Sequence, residues 1–196
     1  MKILLIADEE DRGLWDYYRP EKLRGYDLII SAGDLKGEYL SFLVTMANRP
    51  LLYVPGNHDG RYARRPPEGC ENIDGRLVKI NGLRILGLGG SMLYSGGPEQ
   101  YTERQMRRRI NRLRLSLWRH GGVDIVVSHA PIAGFGDMDD AAHRGFECFK
   151  RLIDKYEPKL WVHGHVHKRY GHDFAREHVI GSTRVVNACG KYEAEI

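Results

Sequence analysis

Three histidines stand at alternate positions in Trp161-Val162-His163-Gly164-His165-Val166-His167, directly after an apolar run. Charged imidazoles this crowded repel one another, so neutral rings bound to metal are their natural state. His165 and His167 share one side of an extended chain, and Gly164 lets the backbone turn closely between them. His163 lies on that side too, but it belongs to the strand and is expected to be structural or to support the ligands. Three more segments follow apolar runs in the same way: Ser31-Ala32-Gly33-Asp34, Val54-Pro55-Gly56-Asn57-His58-Asp59 and Val127-Ser128-His129-Ala130. Together they point to phosphoester hydrolysis at a pair of metal ions.

Each residue type has a chemical reason and a plainer rival. Asp34 follows Gly33 in a tight turn, where its two oxygens can bridge two cations; the rival is a helix N-cap. The Asn57 amide oxygen is a good donor to a hard cation. His58, adjacent to it in an irregular turn, points elsewhere and is free to act as general acid toward a leaving oxygen. The rival for this pair is a surface turn. His129 gains meaning only from the ensemble, because a lone histidine is more often a core or surface residue than a ligand. His120, His143, His172 and His178 have no comparable setting, and solvent is their default, although His143 and His172 are within reach of the pocket from loops.

These residues need elements to carry them. Apolar runs at Ile3–Ala7, Asp27–Ser31 and Leu51–Val54 read as buried strands, with helices expected over Leu14–Arg24 and Gly37–Ala47. Arg76–Ile80 and Leu83–Leu88 flank Asn81-Gly82, a strong hairpin signal. A long helix is expected from Thr102 to Arg119, with Met106, Ile110, Leu113 and Leu117 facing the core. Val123–Ser128 and Leu160–His163 read as strands separated by a helix near Ala141–Tyr156, and Thr183–Ala188 as the last strand. The mixture predicts an α/β domain of two packed sheets with helices outside, occupying 1–196 as one unit. Asp8, Asp34, Asn57, His129 and the His165/His167 pair all come just after a predicted strand, where ligands collect in layered α/β proteins.

Bulk properties set limits. The chain has 196 residues, 42% hydrophobic content and a formal charge of +4, which suits an anionic substrate without demanding nucleic acid. Cys70, Cys148 and Cys189 form no short-spaced pair, which argues for a reducing compartment. The apolar start is cut off by Asp8, Glu9, Glu10 and Asp11, too short for a signal core, and no run approaches a membrane span. A cytoplasmic setting with no membrane partner is expected.

The ordered blocks Asp8, Gly33-Asp34, Gly56-Asn57-His58-Asp59, His129 and Gly164-His165-Val166-His167 resemble the calcineurin-like metallophosphoesterase family. The resemblance implies a four-layer sandwich, two central mixed β-sheets flanked by helices. It implies two divalent ions, with manganese, iron, zinc and magnesium as the candidates. One ion would take Asp8, residue 10, Asp34 and His167; the other would take Asp34, Asn57, His129 and His165. His58 would be the acid near the leaving group, and a metal-bridging hydroxide the nucleophile. Position 10 departs from the family: Glu10 stands where histidine is usual. Glu10 is expected to ligate directly or through water and to harden that site; Glu9 and Asp11 are the alternative donors, and a mainly one-metal enzyme is the third response.

A small or nucleotide-like phosphoester is the expected substrate, with a diester preferred because no cap domain is evident in the sequence. Loops Gly60–Cys70, Ser91–Gln100 and Pro131–Arg144 are expected to line the pocket. Arg61 and Arg64 are candidate contacts to the anion, with Arg65 beside them, and Tyr62, Tyr94 and Phe135 are candidate base-stacking rings. One alternative is a nuclease or other nucleic-acid-processing enzyme using the arginines of the 102–119 helix. Another is a catalytically weak scaffold of the same fold, favoured only by Glu10. The residues leave oligomeric state open.

Overall fold

The structure, a computed structural model, describes residues 1–167 and 175–196; His172 lies outside them. The chain runs β1 (Lys2–Ala7), β2 (Leu28–Ser31), α1 (Gly37–Ala47), β3 (Leu51–Tyr53), β4 (Glu71–Asn72), β5 (Leu77–Ile80), β6 (Leu83–Leu88), β7 (Ser91–Met92) and β8 (Gln100–Tyr101). It continues through α2 (Glu103–Arg112), α3 (Arg114–Arg119), β9 (Ile125–Ser128), α4 (Cys148–Tyr156), β10 (Leu160–His163), β11 (Glu177–Ile180), β12 (Thr183–Asn187) and β13 (Gly190–Glu195).

Two sheets stack face to face. The first has the order β13-β1-β2-β3-β4, and the second β11-β12-β10-β9-β6-β5. Each has a parallel centre: β1 through β4 in the first, and β12, β10, β9 and β6 in the second. Antiparallel partners sit at edges: β13 on β1, β11 on β12 and β5 on β6. Strand alternation sorts the apolar side chains into layers. Ile3, Leu5, Leu28, Ile30 and Leu52 meet Ile125, Val127, Val162 and Val186 between the sheets. Leu4, Ile6, Ile29 and Leu51 face the other way and pack on Tyr39, Leu40 and Leu43 of α1. Val126, Trp161 and Val185 face out from the second sheet toward Met106, Leu117, Phe149 and Leu152 of the remaining helices. Burial on both faces explains why the central strands are continuous apolar runs. This is the expected four-layer sandwich.

Local departures have local causes. Residues 14–24 form turns and a single 3-10 turn at Pro20–Lys22 rather than a helix. Trp15 stands edge-on to Tyr39 and Phe42, Tyr18 edge-on to Phe42, and Lys22 Nζ donates to the Gly13 and Tyr17 carbonyls, so side chains hold this segment against α1. The Asn81-Gly82 hairpin forms as expected, with positive φ at both residues (49° and 84°) and Ile80 opposite Leu83. The 102–119 helix starts at a Thr102–Gln105 capping box but divides at Leu113 into α2 and α3. The helix near 141–156 is confined to α4; the Asp140 carboxylate accepts from the Ala142 and His143 N–H groups and holds a turn before it. β4, β11 and β13 carry mostly exposed or half-buried residues, so no apolar run marks them. Among the described residues no helix is long and apolar enough to cross a membrane.

Arg84 ties β6 to the start of β9. Its Nε and one terminal nitrogen donate to the two Asp124 oxygens at 2.8 Å each, and its backbone N–H donates to Oδ2 at 2.9 Å. These hydrogen bonds hold the Asp124 carboxyl at about 2, below its ordinary 3.8. A depressed carboxyl stabilises the fold above its unfolded value and loses that contribution as pH falls through the folded one. Asp124→Asn is therefore expected to unfold at lower denaturant than the parent at pH 7, and the gap should close between about pH 4 and pH 2. Urea unfolding across that range checks this.

Candidate metal centre

The parallel strands of both sheets deliver their carboxyl ends to one place. Asp8 directly follows β1, and Asp34 and Asn57 lie in the loops after β2 and β3. His129 directly follows β9, and His165 comes two residues after β10. The backbone reverses sharply there. Asp8, Asp34 and His165 adopt left-handed φ values of 62°, 57° and 71°, a conformation costly outside glycine and frequent at functional sites. The loops also approach closely. A Cβ on Gly56 would lie 2.0 Å from Asp34 Oδ1, and one on Gly164 would lie 2.6 Å from Asp8 Oδ2. Only glycine fits at either point.

Four acceptor atoms converge. His129 Nδ1 lies 2.8 Å from the Ala32 carbonyl, to which it donates. That bond leaves Nε2 with its lone pair aimed at Asn57 Oδ1 (3.0 Å), Asp34 Oδ2 (3.3 Å) and His165 Nδ1 (3.1 Å). His165 Nε2 donates to the Ala142 carbonyl at 2.7 Å, which leaves Nδ1 bare as well. Asn57 Nδ2 donates to the Tyr94 hydroxyl at 3.1 Å and so orients its oxygen inward. Two imidazole lone pairs, a carboxylate and an amide oxygen thus share a buried space with no donor among them. The donor set suits a divalent cation, with backbone carbonyls fixing the ring tautomers from behind.

The electrostatics agree. Burial opposes charge on Asp34, but nearby His129 and the His58 N–H hold its carboxyl below the usual range. Burial pushes Asp8 up to about 6, against the pull of His129. Burial likewise opposes charge on His129, yet Asp34 and Asp8 lift it to about 9, as negative groups around a cation site do. Burial and the neighbouring His129 drive His165 down to about 3, leaving a neutral ring. Asp8 is further held by the His165 backbone N–H, 2.9 and 3.0 Å from its two oxygens.

Asp59 is the positioning residue to which the motif's chemistry drew no attention. It is buried, and its Oδ2 accepts from the Asp34 N–H at 2.7 Å and the Gly56 N–H at 2.9 Å, locking the two loops together. Its signal in the sequence is its place at the end of the Gly56-Asn57-His58-Asp59 block, where a plain turn needs no role for it. His58 is exposed, and its backbone N–H donates to Asp34 Oδ1 at 2.9 Å. His163 is fully buried, its Nδ1 3.0 Å from the Gly164 carbonyl, as suits a structural residue.

The acidic run after β1 is arranged differently from its spacing. Glu9 Oε1 lies 3.3 Å from His167 Nδ1, whereas Glu10 Oε2 pairs with Lys36 Nζ at 3.2 Å. The left-handed turn at Asp8, closed by Glu9 N–H back to the Ala7 carbonyl, ends the strand alternation that an Asp-x-Glu spacing assumes. The structure thus brings Glu9, the alternative donor, to His167 and leaves Glu10 on the lysine.

The remaining candidates divide. Arg61 and Arg64 line a surface groove with Trp15, Glu38, Ser41 and Phe42, none of the four acceptors being part of that lining, and Arg61 donates to the Leu35 carbonyl. Tyr62 is buried, its hydroxyl bonded to the Leu35 carbonyl and its ring edge-on to Tyr53, so it is a packing residue rather than a stacking platform. Phe135 meets His178 edge-on. His143 lies against the His165 ring, 5.3 Å between centroids. On the basic helix, Arg109 is bonded to both Asp74 oxygens and lies over the Tyr101 ring, so it serves the fold.

The calcineurin-like phosphoesterase family model matches residues 1–169. The chain is 27% identical over 179 residues to an uncharacterized protein of Methanocaldococcus jannaschii, covering 84% of this chain and 78% of that one. Among solved structures, TT1561 of Thermus thermophilus superposes with a TM-score of 0.65 at 18% identity, over 96% of this chain and 89% of that one. A hypothetical protein from the same organism superposes with a TM-score of 0.55 at 18% identity, over 95% and 75% respectively. Both share the fold. The match along the chain, together with the metal-type donors at its strand ends, places this protein in the calcineurin-like phosphoesterase family, whose members are metal-dependent phosphoester hydrolases.

Proposed function

We propose that the protein hydrolyses phosphodiesters with two divalent ions, and that the convergence of Asp34, Asn57, His129 and His165 on one buried point carries this reading. Bound ions would supply positive charge and water activation at the phosphoryl group. Asp34, Asn57, His129 and His165 would hold one ion; Asp8 and His167, with Asp34 shared, would hold the other. Asp34 turns Oδ2 to His129, while its Oδ1 accepts from the His58 N–H.

The chain's own groups do the rest. The Ala32 and Ala142 carbonyls keep His129 and His165 in the tautomers that ligation needs. Asp59 fixes the spacing of the loops that bear Asp34 and Asn57. His58 rests on Asp34 through its backbone and leaves its imidazole exposed, and as general acid it would give a proton to the departing oxygen. That exposure speaks for an open approach, which favours a substrate esterified on both sides.

Hydrolysis of bis-p-nitrophenyl phosphate and p-nitrophenyl phosphate across a metal series including manganese tests the reading. The diester should be cleaved faster, and a metal-loaded protein inert toward both would contradict it. His58→Ala should lower kcat about 10²–10⁴-fold with metal content unchanged; loss of both ions would remove its role as acid. Asp34→Asn and His129→Ala should lose bound metal and activity together, as read by metal analysis of the dialysed variants. Asp59→Ala leaves two N–H groups unpaired, at about 1–3 kcal/mol each. It should lower metal affinity and the unfolding midpoint together; an unchanged affinity would separate Asp59 from the site.

A further inference from the structure

The strand-end geometry brings a sulfur donor to the position of His167. Cys189 sits where the chain leaves β12 in the second sheet and crosses to β13 in the first, paired with Ala7 at the end of β1. It is fully buried. Its Sγ, a ring nitrogen of His167 and a carboxylate oxygen of Glu9 all lie within 4.8 Å of one another. The three donors come from three separate strand ends, those of β12, β10 and β1.

The surrounding bonds position them. One buried amide, Asn187, accepts from the Cys189 N–H at 2.8 Å and donates to the Val166 carbonyl at 2.8 Å, so it clamps Cys189 to the residue preceding His167. Arg176 holds the same crossing by donating to the Asn187 and Cys189 carbonyls at 3.1 Å each. Cys148 and Cys70 lie elsewhere, in the helix-facing and α1-facing packing.

We infer that the ion at His167 takes the Cys189 thiolate and the Glu9 carboxylate as ligands, so that this position selects thiophilic cations such as zinc, cobalt or cadmium over magnesium. This rests on the two-ion reading for its partner position. The two positions then differ in softness: nitrogen and oxygen at Asp34, Asn57, His129 and His165, and sulfur added at His167. A sulfur, nitrogen and carboxylate set is one that zinc and its analogues accept. It also supplies, through Glu9 and Cys189, the donors that Glu10, paired with Lys36, does not bring to His167.

Cobalt(II) titration of the full chain tests this, with bound cobalt counted by equilibrium dialysis. A near-ultraviolet thiolate-to-cobalt charge-transfer band is expected in the parent, Cys70→Ser and Cys148→Ser proteins, and not in Cys189→Ser. Glu9→Gln should weaken cobalt binding at the band-forming position while leaving Cys189 able to give the band. Two cobalt ions with no band in the parent would overturn the cysteine inference alone, and that result requires no variant to fold. A band that survives Cys189→Ser would overturn it too. One cobalt with the band would support the thiolate and contradict the two-ion reading. No bound cobalt would overturn both.

Discussion

Two imidazoles, an amide oxygen and a carboxylate meet in a buried space, and their lone pairs need a positive charge between them. That requirement explains much of the surrounding structure. The Ala32 and Ala142 carbonyls take the outer ring protons of His129 and His165, so the neutral rings turn lone pairs toward the other acceptors. Tyr94 sets the Asn57 amide the same way. A divalent cation would satisfy all four atoms together.

The fold holds that convergence in place. Parallel strands in two sheets point the same ends at one seam, so loops from distant parts of the chain meet there. The apolar layer between the sheets fixes the seam, and strained backbone at Asp8, Asp34 and His165 turns the donors into it. Such strain persists only where neighbours enforce it, and Asp59 supplies part of that enforcement by binding the Asp34 and Gly56 N–H groups with one oxygen.

Much of this is legible in the sequence because buried parallel strands are apolar runs, and the residue that ends a run is conspicuous when it can bind metal. Asp34, Asn57, His129 and His165 stand out for that reason. The hairpin at Asn81-Gly82 and helix α1 are equally plain, since local turn chemistry and periodicity decide them. The segment 14–24 is not, because aromatic packing of Trp15 and Tyr18 on α1 overrides its helical pattern. Glu9 and Glu10 exchange their expected places because one left-handed residue, Asp8, breaks the alternation. Cys189 obeys the same strand-end rule as the other donors. It directly follows the predicted strand Thr183–Ala188, but what brings it beside Ala7, Glu9 and His167 is a crossing between sheets, which leaves no local signature.

The central claim is that cations occupy this convergence. Anomalous diffraction from crystals grown with manganese measures it directly. The account predicts one peak bonded to Asp34, Asn57, His129 and His165, with a second beside it on the side of Asp8 and His167. A protein that binds manganese elsewhere, with His129 still bonded directly to Asn57 and Asp34, would contradict it.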